Sequence, residues 1–377
     1  MDNIKRFDLA ANSLTARLAE IFTALEIADK ERIREIRLRS RKPVAVITES
    51  GTEFLSASGR LTKIYSDLAI KTDEKEIVDV FRRLCGYSVH SFTDAINKGY
   101  ITLSGGHRAG VAGTAVSENG RITAVRDVCA INLRIAREIR GAANEIYRSE
   151  FADGLRSIII AGPPSSGKTT VLRDLVRQLS GGERGRFYKS FVCDERGELA
   201  ACLSGVEQND MGINSDVITS YPKAEGIIIG LRSFSPDIIV CDEIATDEEA
   251  SAVEAGVNSG VCFALSIHAR NEQELKTKPI LRRILSTGAF SHIALLSATE
   301  VGKTEKIIEA GEVFVYACGN AAFGRRICLR RSVPCLASHE KSGAYKRSSS
   351  DALRNPHPSA LRLPARARFA EGALQHR

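Results

Sequence analysis

The sequence has no tryptophan, and aromatic residues fill only 6% of its 377 positions. Nothing in it suggests an aromatic-rich surface for sugars or for stacking on nucleic acid. The nine cysteines (85, 129, 193, 202, 241, 262, 318, 328 and 335) include no Cys-x-x-Cys pair. Their number is odd, and several lie inside apolar runs, as Cys241 does after Ile238-Ile239-Val240. This argues against a disulfide framework or a zinc site and for free, partly buried thiols in a reducing compartment. Long apolar runs are also missing: those around 158–161 and 261–265 are far too short to cross a bilayer. The opening Met1-Asp2-Asn3-Ile4-Lys5-Arg6-Phe7-Asp8 has no apolar h-region. The expectation is a cytoplasmic protein that meets a membrane only through partners.

A basic body is lacking too, despite a formal net charge of +7. Residues 318–377 hold 12 Lys and Arg against 3 Asp and Glu, leaving 41 against 43 in residues 1–317. The basic excess therefore belongs to the tail, and the body has no global nucleic-acid signature. The tail is rich in Arg, Ser, Ala and Pro and weak in periodicity. Two readings of it stand: a disordered segment, or the product of a shifted reading frame.

What remains is the composition of a soluble globular chain, 43% hydrophobic and 26% charged, long enough for two domains. Residues 1–145 read as an α+β domain. Pro43-Val44-Ala45-Val46-Ile47 is strand-like, and Asp73-x-x-Glu76 caps a helix carrying Ile77, Phe81 and Leu84. Tyr100-Ile101-Thr102-Leu103 then leads into a Gly-rich stretch, Gly105 to Gly110, expected to be a hairpin turn or a close-approach loop. In residues 146–317 short apolar strands alternate with helices, the pattern of a parallel sheet covered on both faces. Strands are expected at 157–161, 190–194, 237–241 and 261–266, with weaker ones at 292–296 and 312–316. Helix ends are marked by Gly181-Gly182, Thr246-x-x-Glu249, Gly260 and Asn271-x-x-Glu274.

The chemistry sits on the strand ends. Gly162-Pro163-Pro164-Ser165-Ser166-Gly167-Lys168-Thr169 fits G-x-x-x-x-G-K-[ST] at each fixed position, between a strand and an amphipathic helix, with Thr170 next in line. Glycines let such a loop wrap its N–H groups around phosphates, Lys168 reaches the β- and γ-phosphates, and the Thr169 hydroxyl ligates Mg²⁺. A chance match in a chain of this length arises about once in a hundred, and the strand–loop–helix context lowers that further. Asp237-Ile238-Ile239-Val240-Cys241 ends in Asp242-Glu243. There Asp242 is expected to hold Mg²⁺ through water and Glu243 to orient and deprotonate the attacking water. The alternative is a helix N-cap and a first-turn acid. Two further strand tips carry polar clusters, Asp194-Glu195-Arg196-Gly197-Glu198 and Ser266-Ile267-His268. Asp194, Glu195 and Glu198 are candidates for shaping the metal and water environment, and His268 for sensing the γ-phosphate. Against these stand a solvated loop and a structural histidine.

In this order, with Leu231-Arg232-Ser233-Phe234-Ser235-Pro236 before the acidic strand, the motifs resemble the secretion-superfamily ATPases of type II and type IV systems. More narrowly, the chain resembles the stage III sporulation AA family. Glu35-Ile36-Arg37-Leu38-Arg39, Lys98 to Arg108, Tyr221-Pro222-Lys223-Ala224-Glu225-Gly226 and Pro279-x-Leu281-Arg282-Arg283 carry that likeness, across residues 30–317. The resemblance implies a RecA-like P-loop NTPase core with a mainly parallel sheet, preceded by a smaller α+β domain. It implies a homo-hexameric ATPase using ATP and Mg²⁺, on the mother-cell side of the forespore membrane, with integral membrane channel proteins of the sporulation apparatus as partners. Lys168, Thr169, Asp242 and Glu243 take the nucleotide roles, and Glu195, Glu198, Arg232 and His268 the accessory ones. Ser165 stands where such loops often carry glycine. Arg108, Arg134, Arg137 and Arg196 are candidates for an arginine acting across subunits. A second reading is a P-loop ATPase acting with single-stranded nucleic acid. The tail's lack of Arg-x-x-x-His and of interleaved aromatics counts against it. A small-molecule kinase would need a lid, and no Arg cluster for one lies between the P-loop and Asp242.

Overall fold

Strands buried on both faces of a parallel sheet read as unbroken apolar runs, and Ser157–Gly162 is one, with all six residues buried. The computed structural model describes residues 2–97 and 99–317; the tail read above as disordered or frame-shifted lies outside the described residues. The first seven strands are β1 Glu35–Arg39, β2 Ala45–Thr48, β3 Gly51–Leu55, β4 Leu61–Thr62, β5 Tyr100–Thr102, β6 Arg108–Glu118 and β7 Arg121–Arg134. They form an antiparallel sheet in the order β4-β3-β2-β1-β7-β6-β5. The next seven are β8 Ser157–Gly162, β9 Ser190–Asp194, β10 Ser215–Thr219, β11 Ile238–Cys241, β12 Cys262–His268, β13 Phe290–Leu296 and β14 Thr304–Glu309. Their order is β10-β9-β11-β12-β8-β13-β14, parallel throughout except for the β13–β14 pair. The chain is thus α/β, with a mainly parallel sheet following an antiparallel one.

Side chains alternate across the parallel sheet with the period of two that pleating imposes. Ile159, Phe191, Ile239 and Phe263 pack on one face. Ile158, Ile160, Val192, Ile238 and Val240 pack on the other, against the helix Lys168–Ser180 through Val171, Leu172, Leu175 and Leu179. The caps read from sequence are present. Asp73 accepts from Glu76 N at 2.7 Å, Asn271 accepts from Glu274 N at 2.9 Å, and Thr246 with Glu249 closes a reciprocal capping box.

One expected strand is corrected. Residues 312–316 lie in the helix Ala310–Ala317. Val313 is buried in the same core as Leu281, Ile284, Ile293 and Ile308, so packing against neighbouring elements outweighs the β-propensity of a Val-Phe-Val run. The strand at this edge is β14 instead, just upstream. β10 was not expected either, because Ser215-Asp216-Val217-Ile218-Thr219 is a half-exposed edge strand without an apolar run.

The antiparallel half is tied to the parallel half by a buried polar knot. The Gly-rich stretch connects β5 to β6, as a hairpin connection, and also approaches the second half closely, Gly106 facing Ala201 and Asn209. Arg6, 1% exposed, donates to Gly105 O at 2.9 Å and Glu138 Oε2 at 3.2 Å on one side, and to Asn209 Oδ1 at 3.0 Å and Gln208 O at 3.1 Å on the other. Beside it, fully buried His107 accepts from Ala136 N at 3.0 Å through Nδ1. Burial, followed by the charge of Arg6, pulls its imidazole down to about 4. An unfolded imidazole takes its proton near pH 6.5, so this group stabilises the fold above that pH and loses the contribution as pH falls toward 4. Between pH 7 and 4.5, wild type should lose about 2 kcal/mol more unfolding free energy than His107→Gln. Urea unfolding at the two pH values measures this, and equal losses would contradict it.

Candidate functional site

In a parallel sheet the chain leaves successive strands at one edge, so the residues following β8, β9, β11 and β12 share a rim. The loop after β8 turns through Ser165 at φ +62° and Gly167 at φ +92°. Only glycine suits the latter position, and a Cβ there would also meet Gly302 N at 2.8 Å. The loop then feeds straight into the helix Lys168–Ser180, whose N-terminal end carries partial positive charge. Gly302 N donates to Ser166 O at 2.8 Å, so the segment between β13 and β14 braces the loop.

The structure brings together most of the residues selected from sequence. Thr169 Oγ1 donates to Asp242 Oδ2 at 2.8 Å, and Ser266 Oγ donates to Asp242 Oδ1. Lys168, 6% exposed, donates to Gly162 O at 3.0 Å and Pro163 O at 2.8 Å, and lies 3.0 Å from His268 Nδ1. Burial draws its ammonium below the ordinary lysine value, with Asp242 and Glu243 opposing. An ammonium only donates, so His268 Nδ1 accepts and Nε2 carries the proton, facing Glu243 Oε1 at 3.3 Å. Arg196 Nη1 donates to Glu243 Oε2 at 2.9 Å. Glu243 itself is held at φ +43°, a left-handed conformation that costs a non-glycine residue roughly 1 kcal/mol.

The acid-rich turn after β9 divides its work. Asp194 is buried and accepts from the N–H groups of Glu198 at 2.7 Å, Leu199 at 3.1 Å and Ala200 at 2.9 Å. Burial raises its carboxyl, and these backbone donors counter that. Asp194 therefore shapes the turn, a different role from the metal environment expected of it. Glu195 lies 3.7 Å from Lys223, and Glu198 pairs with Arg108 at 3.2 Å. A cavity of about 280 Å³ opens beside Thr169 and Thr170, lined by Arg108, Arg134, Arg137 and Arg173. Three of the four arginines weighed as trans-acting thus line a cavity shared with their own chain's P-loop helix, and the fourth, Arg196, contacts its own Glu243.

Arg232 is not brought to this site. The helix Lys223–Ser233 begins against the rim, and Arg232 lies exposed in its last turn, nine residues on and about 14 Å along the axis. The stretch before β11 necessarily lies at the sheet's other edge. Conversely, Ser266, Arg173 and Lys223 reach the site without having been given chemical roles. Arg173 donates to Leu199 O at 2.8 Å and Glu198 O at 2.7 Å, joining the P-loop helix to the acid-rich turn. Lys223 opens the helix Lys223–Ser233, which leads from the rim back to the start of β11.

Residues 5–313 match the family described as sporulation stage III, protein AA. The chain belongs to that family. It is 35% identical over 266 residues to the stage III sporulation protein AA of Bacillus subtilis (strain 168), covering 70% of this chain and 82% of that protein. Among solved structures it is similar to the Yersinia pseudotuberculosis ATPase DotB, with 16% identity, a TM-score of 0.47 and coverage of 75% of this chain and 76% of that one. It is also similar to the pilus retraction motor PilT with bound ADP, with 18% identity, a TM-score of 0.46 and coverage of 72% and 78%. No helix among the described residues of this family member is long and apolar enough to cross a membrane.

The oxygen donors at the rim suit a small hard cation. Thr169 and Asp242 offer one hydroxyl and one carboxylate 2.8 Å apart, and Mg²⁺ is held by one or two carboxylates with phosphate oxygens and water completing its shell. Ser166 Oγ is buried without a hydrogen-bond partner, an unmet polar group within the loop. Asp194, in contrast, is satisfied by backbone alone. Asp194→Ala should cost roughly 2–4 kcal/mol by leaving buried N–H groups unpaired, read as a lower urea midpoint. A loss under about 0.5 kcal/mol, the range of an ordinary surface change, would contradict the structural role.

Proposed function

We propose that this chain is a Mg²⁺-dependent P-loop ATPase with a RecA-like core, working as a secretion-type homo-hexameric ring that energises a sporulation channel between mother cell and forespore. The observation that carries this reading is the Thr169–Asp242 contact with Lys168 and Glu243 beside it. The two adjacent pairs, Lys168-Thr169 and Asp242-Glu243, come together although Thr169 and Asp242 are 73 positions apart, and a triphosphate with its cation gives them a shared purpose. The sheet order supports the core assignment, with β12 between the P-loop strand β8 and the acid-bearing β11.

In this reading the loop Gly162 to Thr170 wraps the phosphates, with its backbone N–H groups and the helix N-terminus supplying positive charge. Lys168 leaves its carbonyl partners Gly162 and Pro163 for the β- and γ-phosphate oxygens. Thr169 and Asp242 are the residues that would hold Mg²⁺, which would neutralise charge on the phosphates. Glu243 orients the attacking water and accepts its proton. To do so its carboxylate must be released by Arg196 and His268, both of which now contact it. His268 bridges Lys168 and Glu243, so a shift of Lys168 onto phosphate is felt at the carboxylate. Arg108, Arg134, Arg137 and Arg173 give the adjoining cavity a positive field suited to polyphosphate. Glu198 lines the same cavity, paired with Arg108, and Glu195 lies beside Lys223. Channel proteins in the membrane are the partners this role requires.

The test is steady-state ATP hydrolysis by wild type, Lys168→Ala and Glu243→Gln. Each variant should fall by a factor on the order of 10²–10⁴, the range of a lost charge-stabilising or general-base group. Undiminished turnover in both would remove the mechanism.

A further inference from the structure

Lys223 is a second buried lysine at the rim, outside the P-loop. It is 7% exposed and opens the helix Lys223–Ser233 directly after Pro222. Its ammonium donates to the backbone carbonyl of Glu243 and, at 3.3 Å, to that of Asp242. Glu249 Oε1 lies 3.2 Å away and Glu195 Oε2 3.7 Å away. A buried ammonium has three protons to place and no water to receive them. Here two of its partners are the main-chain oxygens of the two acidic residues at the end of β11.

Those oxygens belong to an unusual turn. Glu243 is in the left-handed region at φ +43°, where a side chain is disfavoured. Its N–H donates to Ser266 Oγ at 2.9 Å, and the same hydroxyl bonds Asp242. Both backbone polar groups of Glu243 are thus tied, the N–H by Ser266 and the carbonyl by Lys223. Glu249 secures the far side, since its Oε2 accepts from Ala245 N at 2.7 Å and Thr246 N at 3.0 Å while its Oε1 faces Lys223. Strain of this kind persists only where the surroundings over-determine it.

We infer that Lys223 is a positioning residue for hydrolysis: it clamps the strained Asp242–Glu243 backbone and so fixes where the Glu243 carboxylate points, without touching nucleotide. This rests on the ATPase reading above. Its consequence falls on the chemical step, because the Asp242 carboxylate is separately held by Thr169 and Ser266 and the P-loop groups that grip phosphate lie on other elements, whereas the Glu243 backbone has only Ser266 besides Lys223. A misplacement of about 1 Å at a catalytic group costs a factor on the order of 10² in rate.

The experiment compares kcat and KM for Mg-ATP in wild type, Lys223→Met and Lys223→Arg, with thermal melting to establish folding. Lys223→Met should lose a factor on the order of 10² in kcat while KM stays within about twofold, and Lys223→Arg, which keeps a charged donor, should recover much of the loss. An unchanged kcat in Lys223→Met overturns the inference, as does a parallel loss of kcat and nucleotide affinity, which marks a merely structural lysine. Should Lys223→Met fail to fold, Lys223→Gln is read by the same split. No turnover by wild type is a separate outcome that removes the ATPase reading itself.

Discussion

Thr169 and Asp242 are 73 positions apart, yet one hydrogen bond of 2.8 Å joins their side chains. Its existence depends on β12 lying between β8 and β11 in a parallel register that sets Gly162 opposite His268 and Cys241 opposite Leu265. Shift that register and the P-loop, the two acids and the histidine no longer share a rim. The apolar runs of β8, β9, β11 and β12 hold the register, since each buries residues on both faces of the sheet. Hydrophobic burial therefore places the polar chemistry, and the polar residues need only occupy the strand ends.

The rim stores opposing tendencies. Lys168 is buried against carbonyls and a histidine, Glu243 is held by a guanidinium and an imidazole, and its backbone is left-handed. In the proposed reading, a bound triphosphate would displace the carbonyl partners of Lys168 and free the Glu243 carboxylate from Arg196 and His268. The knot around Arg6 and His107 joins this rim to the antiparallel half through Asn209, whose amide reaches Leu199 O next to the turn shaped by Asp194. The first half of the chain thus contacts the acid-rich turn by a short, buried path.

Much of this was legible in the sequence because strand tips announce themselves: an apolar run ending in Gly-rich, acidic or His-bearing residues has one geometric meaning in a parallel sheet. Lys168, Thr169, Asp242, Glu243 and His268 were all readable that way. Arg232 was not, since it came from the resemblance alone and, preceding β11, it lies at the edge of the sheet opposite the rim. Lys223 and Ser266 were hidden for a related reason, since their importance lies in main-chain and second-side-chain contacts that no motif spacing encodes. The Val-Phe-Val run in the helix Ala310–Ala317 has the local pattern of a strand, but packing with its neighbours sets its conformation, and β10 lies at the sheet edge, where a strand needs no apolar run to mark it.

The central claim is that this rim grips a magnesium-bound triphosphate. Equilibrium binding of a non-hydrolysable ATP analogue, with and without Mg²⁺, to wild type and to Lys168→Ala tests it most directly. Saturable binding at one site per chain, strengthened by Mg²⁺ and lost in Lys168→Ala, is the predicted result. No binding by wild type, or equal binding by both proteins, would contradict it.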